Sequence, residues 1–171
     1  MSHTVQLFIA RKAILENMAC TLNQAHLILL PQGFATIPNT DELFDEVTNH
    51  QQSKMNAQFE IFYKLSGALI SQAEDLSGKG PIAYIETDYF GGTGTQSAVV
   101  WSETRIIFGP CQSEIRWVNE QLVKEPAAEK AINRALRHLG VQQTGAFDEF
   151  DTIELGKFRH NEDWLKHRRL I

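Results

Sequence analysis

Two acidic side chains, Glu86 and Asp88, stand two residues apart in the stretch AYIETDYFGGTGTQ, residues 83–96. In a strand, residues at i and i+2 leave the same face with their Cα atoms about 7 Å apart, near enough for two carboxylates to share a cation or receive a basic partner. Tyr84 and Phe90 extend that face on either side, which sets the charges beside aromatic surface. Burial would raise the pKa values of such carboxylates, whereas an arginine alongside would lower them. A solvent-facing polar row is the plainer reading of the same spacing.

Gly91, Gly92 and Gly94, in Gly91-Gly92-Thr93-Gly94-Thr95, invite comparison with loops that wrap phosphate in backbone N–H groups. Their context is wrong for one. A Walker loop continues into Lys and Ser or Thr, and a dinucleotide loop opens a helix, but residues 96–101, QSAVVW, continue as a strand. Glycines that supply positive φ in a hairpin turn account for the run at little cost.

Elsewhere, the chemistry-bearing residues are sparse. His160, Asp163 and His167 fall at steps of three and four and would share a helix face, as a zinc set or an acid–base pair requires. The lysines and arginines around them oppose a cation, so an ordinary exposed helix is expected. His3, His26, His50 and His138 stand alone and read as structural or solvated. Cys111, after Gly109-Pro110, would need a lowered pKa to act as a nucleophile, and nothing nearby in sequence supplies it. Cys20 and Cys111 make no metal-type spacing and are expected to be reduced and inert. Trp101, Trp117 and Trp164 read as core or rim residues. No complete catalytic, metal or nucleotide motif occurs, so no cofactor is expected.

These residues must be positioned by the runs around them. Residues 81–110 hold three strand-like segments joined by the glycine turn and a short polar turn. Residues 4–10 read as a first strand, with Val5, Leu7 and Ile9 on one face and Gln6 and Phe8 on the other. A short helix over residues 11–22 follows, then a strand at residues 27–30 ended by Pro31-Gln32-Gly33. Asn39-Thr40-Asp41-Glu42 opens a helix, with Asn39 as the expected cap.

The most regular helical pattern runs from about Lys54 to Leu76, through Met55, Phe59, Phe62, Ser66, Leu69, Ala73 and Leu76, and stops at Ser77-Gly78-Lys79-Gly80-Pro81. Residues 113–123 favour a helical turn or two. Pro126 is expected to open a helix at its first position, ending on Gly140 as a left-handed cap. A strand at residues 152–155 and a short amphipathic helix at residues 162–169 close the chain. Helices on both sides of a hairpin-rich centre predict one α+β domain over residues 1–171, with helices packed on a mainly antiparallel sheet.

Composition narrows the setting. A hydrophobic content of 43% with 22% charged residues suits a globular chain with a core, and no run approaches the roughly 20 apolar residues of a membrane span. The basic pair Arg11 and Lys12 follows the only N-terminal apolar run, the reverse of a signal peptide, which makes a cytoplasmic location the expectation. A net charge of −5 argues against general nucleic-acid affinity.

Residues 83–101, AYIETDYFGGTGTQSAVVW, together with Ala131-Ile132-Asn133-Arg134-Ala135-Leu136 and Asp163-Trp164, resemble small bacterial proteins of unassigned function. The resemblance implies no activity and no catalytic residues. Size and acidity have the general character of immunity proteins that neutralise a toxin. The first functional expectation is therefore a protein-binding module that presents Tyr84, Glu86, Asp88 and Phe90 to a basic partner. The second is a small hydrolase or ligand-binding protein, with its site where Gly91, Gly92 and Gly94 meet Glu86 and Asp88. A homodimer through the seam of residues 55–76 is compatible with both.

Overall fold

Seven antiparallel strands form one sheet in a computed structural model that describes residues 2–49 and 56–166. In chain order they are β1 (His3–Arg11), β2 (Ile28–Leu29), β3 (Phe34–Pro38), β4 (Ile82–Phe90), β5 (Thr93–Ser102), β6 (Arg105–Val118) and β7 (Gln121–Val123). Across the sheet the order is β2-β3-β1-β4-β5-β6-β7. The first three strands build one half, and the consecutive hairpins β4 to β7 build the other. They meet where β1 pairs with β4 over eight residues, from His3 opposite Tyr89 to Ala10 opposite Ile82.

Among the described residues there are six α-helices: α1 (Lys12–Thr21), α2 (Asp41–Thr48), α3 (Gly67–Ser77), α4 (Ala131–Leu139), α5 (Glu149–Thr152) and α6 (Asn161–Lys166). Strand alternation sorts them into two layers. On one face Phe8, Tyr84, Val99 and Trp101 pack with residues of α1, α2 and α3. On the other, Val5, Leu7, Ile9, Ile85 and Val100 pack with α4, Ile153, Leu155 and Trp164. Because both faces are covered along residues 82–85, β4 is apolar there on both sides. The result is an α+β fold with helices packed on an antiparallel sheet, as the sequence predicts.

Several boundaries differ from the sequence reading, each for a local reason. The long helix expected from Lys54 is only α3; Lys54 and Met55 themselves lie outside the described residues. Phe59 and Phe62 are buried, as their spacing suggests, and Leu65 is buried beside them, but from a 3₁₀ turn at Ala57–Phe59 and an irregular segment after it. In a helix the amides of Tyr63 and Lys64 would point one turn back; here they donate to the Glu86 carboxylate, and Ser66 caps a new helix by accepting from Leu69 N. Leu69 and Ala73 of the expected seam lie in the chain's own core.

Thr40, not Asn39, caps α2, since its Oγ1 accepts from Leu43 N, and Asn39 turns inward. Residues 113–118 continue β6, and a turn with positive φ at Asn119 and Glu120 leads into β7, so the expected helical turns there are a hairpin. Pro126 precedes a 3₁₀ turn, and α4 starts five residues later; Gly140 is left-handed as expected. The strand expected at residues 152–155 is replaced by the end of α5 and a 3₁₀ turn, because Asp148 caps α5 through Asp151 N.

The glycine turn is a two-residue hairpin, with φ of 62° at Gly91 and 87° at Gly92. Open space surrounds both. Gly94 is different: at φ 143°, a Cβ would lie 2.0 Å from the Asp88 carbonyl oxygen. Gly91→Ala is therefore expected to cost about 1 kcal/mol from left-handed backbone alone, whereas Gly94→Ala should cost more than about 2 kcal/mol because backbone must move. Urea denaturation of the two variants checks the ranking, and equal losses would contradict it.

Candidate functional site

The four residues Tyr84, Glu86, Asp88 and Phe90 do share one face of β4, but they sit in a gradient from core to solvent. Tyr84 is fully buried and Glu86 is 7% exposed, whereas Asp88 is exposed and Phe90 is 76% exposed. The helical layer ends between them. Pairing sets a polar row across the sheet at this boundary, Gln6 opposite Glu86 opposite Ser97 opposite Gln112.

Glu86 is the hub of that row. Its Oε2 accepts from Tyr63 N at 2.6 Å, and its Oε1 accepts from Lys64 N at 2.8 Å and from the Tyr84 hydroxyl at 2.9 Å. The Tyr84 hydroxyl also lies 2.6 Å from the Lys64 carbonyl oxygen and receives Asn39 Nδ2 at 3.0 Å. Asn39 donates to the same carbonyl at 2.6 Å. Asn161, at the start of α6, donates to Gln6 Oε1 and to the Asn39 carbonyl, and its own Oδ1 accepts from Gln6 N. One network thus joins β1, the end of β3, the irregular segment, β4 and α6.

Electrostatics follow from this burial. Desolvation raises the Glu86 pKa above its ordinary 4.5, while the amides of Lys64 and Tyr63 act to lower it. Burial first, and the Glu86 charge second, hold the Tyr84 phenol well above its ordinary value, so it stays a neutral donor. Tyr84 and Glu86 are therefore supports. The groups left for a partner here are Asp88 and Phe90, together with Tyr63, which is 91% exposed and whose backbone amide is held by Glu86.

The opposite face of the same hairpin was not singled out by the sequence. There Thr87 and Tyr89 line a pocket of about 220 Å³, closed by His3, Ile115, Lys130 and Phe150. His3 stands alone in sequence; pairing of β1 with β4 brings it opposite Tyr89, and its Nδ1 lies 2.8 Å from Thr87 Oγ1. Alternation along β4 was the available signal, since Thr87 and Tyr89 must face away from Glu86 and Asp88.

The remaining candidates are placed as follows. Burial pushes the Cys111 thiol above its ordinary value, with Arg134 opposing, so it remains protonated at neutral pH; Cys20 is exposed. Asp163 pairs with Lys166, His160 bridges to Thr4, and His167 lies outside the described residues. Trp101 is a core residue stacked on Phe59, and Trp164 is buried against Phe158. Trp117 is 63% exposed. Among the described residues, no three His, Cys, Asp or Glu side chains form a metal-type group, and no helix is long and apolar enough to cross a membrane.

No protein-family model matches this chain, and no match was found among curated proteins or solved structures.

Glu86→Gln should lower stability by about 1–3 kcal/mol at neutral pH, because an amide NH₂ would face the donors of Tyr63 or Lys64. It should also remove a pH dependence. A folded-state pKa above the unfolded value of about 4.5 means the folded state holds its proton more tightly, so wild-type stability falls as pH rises through the window above 4.5. Urea denaturation from pH 4 to pH 7 should show that decline in the wild type and a flatter profile in Glu86→Gln; parallel profiles would contradict the assignment.

Proposed function

We propose that this chain is a bacterial, cytoplasmic protein-binding module of the toxin-immunity kind, which meets a basic partner with the uncovered end of its sheet. The observation that carries this reading is where apolar surface remains exposed. The turns Gly91-Gly92 and Asn119-Glu120 lie at one end of the sheet, since Gly94 pairs with Ile115 and each hairpin closes just beyond. At that end Phe90 and Val123 are exposed on the Asp88 face and Trp117 and Leu122 on the opposite face, although apolar residues nearer the middle of the sheet are buried almost without exception. An exposed aromatic such as Phe90, standing on a rigid strand beside a carboxylate, is a usual kind of anchor in protein interfaces.

Charge supports the choice of partner. The face that carries Phe90 also carries Asp88 and, across β5, Glu114, and the chain as a whole has a net charge of −5. Complementary charge speeds encounter with a basic protein and penalises other acidic ones. Tyr84 and Glu86 serve this surface from beneath, by fixing β4 and the segment that bears Tyr63.

The test is capture from a lysate of the cell that encodes the chain, using the wild type beside Asp88→Asn and Phe90→Ser. Both changes fall on exposed side chains and should leave the melting temperature unchanged. A stoichiometric basic partner should be retained by the wild type and bound roughly thirtyfold more weakly by Phe90→Ser, a loss of about 2 kcal/mol. Undiminished binding to both variants would remove this face from the function.

A further inference from the structure

The pocket behind the glycine-turn hairpin has an uneven hydrogen-bond inventory, and that unevenness defines a ligand. Its carboxylate, amide and hydroxyl acceptors are occupied, and the buried Nε2 of His3 is left without a partner. Asp148 Oδ2 receives Asn133 Nδ2 at 2.8 Å and Oδ1 receives Asp151 N at 2.9 Å. Gln96 Oε1 receives Ile132 N, and Asn133 Oδ1 receives Phe150 N, both at 2.9 Å. Thr87 Oγ1 already meets Val5 N and His3.

The donors are not. Tyr89 Oη receives Gln96 Nε2 at 2.9 Å, which fixes the phenol in place and leaves its own O–H without an acceptor among the described residues. Lys130, which lines the same pocket, forms no ion pair with any described carboxylate. It stands immediately before α4, a nine-residue helix with no acidic residue in its first turn, so the positive end of that helix adds to its field. Against this stand Asp148, whose charge is met by two N–H donors, Asp151, on which the Lys130 charge also acts, and Glu125, which accepts from Ser113 Oγ and whose charge is felt at the Tyr89 hydroxyl. The remaining walls are apolar, the ring of Phe150 and the side chain of Ile115.

We infer that this pocket is a binding site for a small organic monocarboxylate with a flat apolar group, its carboxylate taking the Tyr89 hydroxyl and the Lys130 ammonium and its ring lying between Phe150 and Ile115. This site is separate from the Asp88 and Phe90 surface, because Tyr89 and Thr87 face the other side of β4. A charged hydrogen-bond pair plus one buried ring is the small-ligand pattern, a few polar groups that orient and apolar walls that hold.

Benzoate is the probe, with benzamide as its uncharged counterpart, titrated by calorimetry and by ¹H–¹⁵N NMR into the intact protein. Benzoate should saturate one site with Kd below about 1 mM, shifting signals of Tyr89, Ile115 and Phe150, and benzamide should bind about tenfold more weakly or not at all. Tyr89→Phe, which keeps the ring but removes the hydroxyl and with it the acceptor of Gln96 Nε2, and Lys130→Met should each weaken benzoate about tenfold, with the melting temperature held in Lys130→Met and lowered by a few degrees in Tyr89→Phe. Lys12→Met, on the exposed face of α1, should change nothing. Absence of saturation by benzoate, equal binding of benzamide, or unchanged affinity in both pocket variants would overturn the assignment.

Discussion

A carboxylate at the rim of the core determines where the helical layer of this protein ends. Glu86 accepts two successive backbone amides, from Tyr63 and Lys64, as well as a phenol. Successive amides pointing at one group are incompatible with the interior of a helix running on through those positions, since each would be required by a carbonyl one turn earlier. Without an acceptor there, two part-buried N–H groups would lose their partner, at a cost toward the lower end of about 1–3 kcal/mol each. The segment carrying Phe59, Phe62 and Leu65 therefore lies on the sheet as a cover rather than extending α3. That cover completes the core: Phe62 meets Tyr84 edge-on at 5.5 Å, and Phe59 stacks on Trp101 at 6.2 Å. Contacts of this kind contribute roughly 0.5–1.5 kcal/mol each beyond area burial.

The same constraint divides the sheet into two regions. Before Glu86 on β4, both faces are roofed and the strands are apolar on both sides. Beyond it, helices no longer cover the face that bears Asp88 and Phe90, and alternation loses its inside and outside. The long strand β6 is sparsely covered, with exposed and half-buried residues alternating over residues 105–110 and Ser113 its one buried residue. Among the described residues its outer edge lacks a partner except where β7 meets residues 116–118, and Pro110, which has no N–H to offer, sits within that edge. Proline and charged residues on an edge strand discourage indiscriminate pairing with other sheets. Exposed aromatics beside a guarded edge fit a surface that binds through side chains rather than by adding a strand.

How much of this could be read from the residues depended on whether the deciding partner was near in sequence. The three central strands and their turns were legible because Gly91-Gly92 and the alternation of residues 82–90 are local signals. Gly140 was legible for the same reason. The expected helix fails over residues 56–66 although Phe59, Phe62 and Ser66 do follow a helical period, and what overrides it is Glu86, some twenty residues away. Asn39 looks like a cap and instead joins Tyr84 and Lys64, which no local pattern could indicate. Residues 113–118 were misread because Ile115 and Val118 match a helical step, while the pairing of β6 with β5 favours the strand. The shared face of Tyr84, Glu86, Asp88 and Phe90 was correctly derived from period two, but burial along it was not, because the sequence does not say where a covering segment stops.

Both sides of one short strand segment therefore carry distinct chemistry for a single reason. On β4, residues 86, 88 and 90 face one way and residues 87 and 89 the other. The first set runs out from under a roof held by Glu86. The second is closed over by His3 from β1, by Lys130 at the head of α4 and by Phe150 from α5, which arrive from three different parts of the chain. A surface that must meet a large partner is best left where cover ends, and a pocket for a small one is best made where several elements converge. Placing the two back to back means that Glu86, by fixing β4, also fixes the strand from which Tyr89 reaches into the pocket. A change in the Glu86 network would then disturb both faces, whereas changes to Asp88 or Tyr89 would each affect only one.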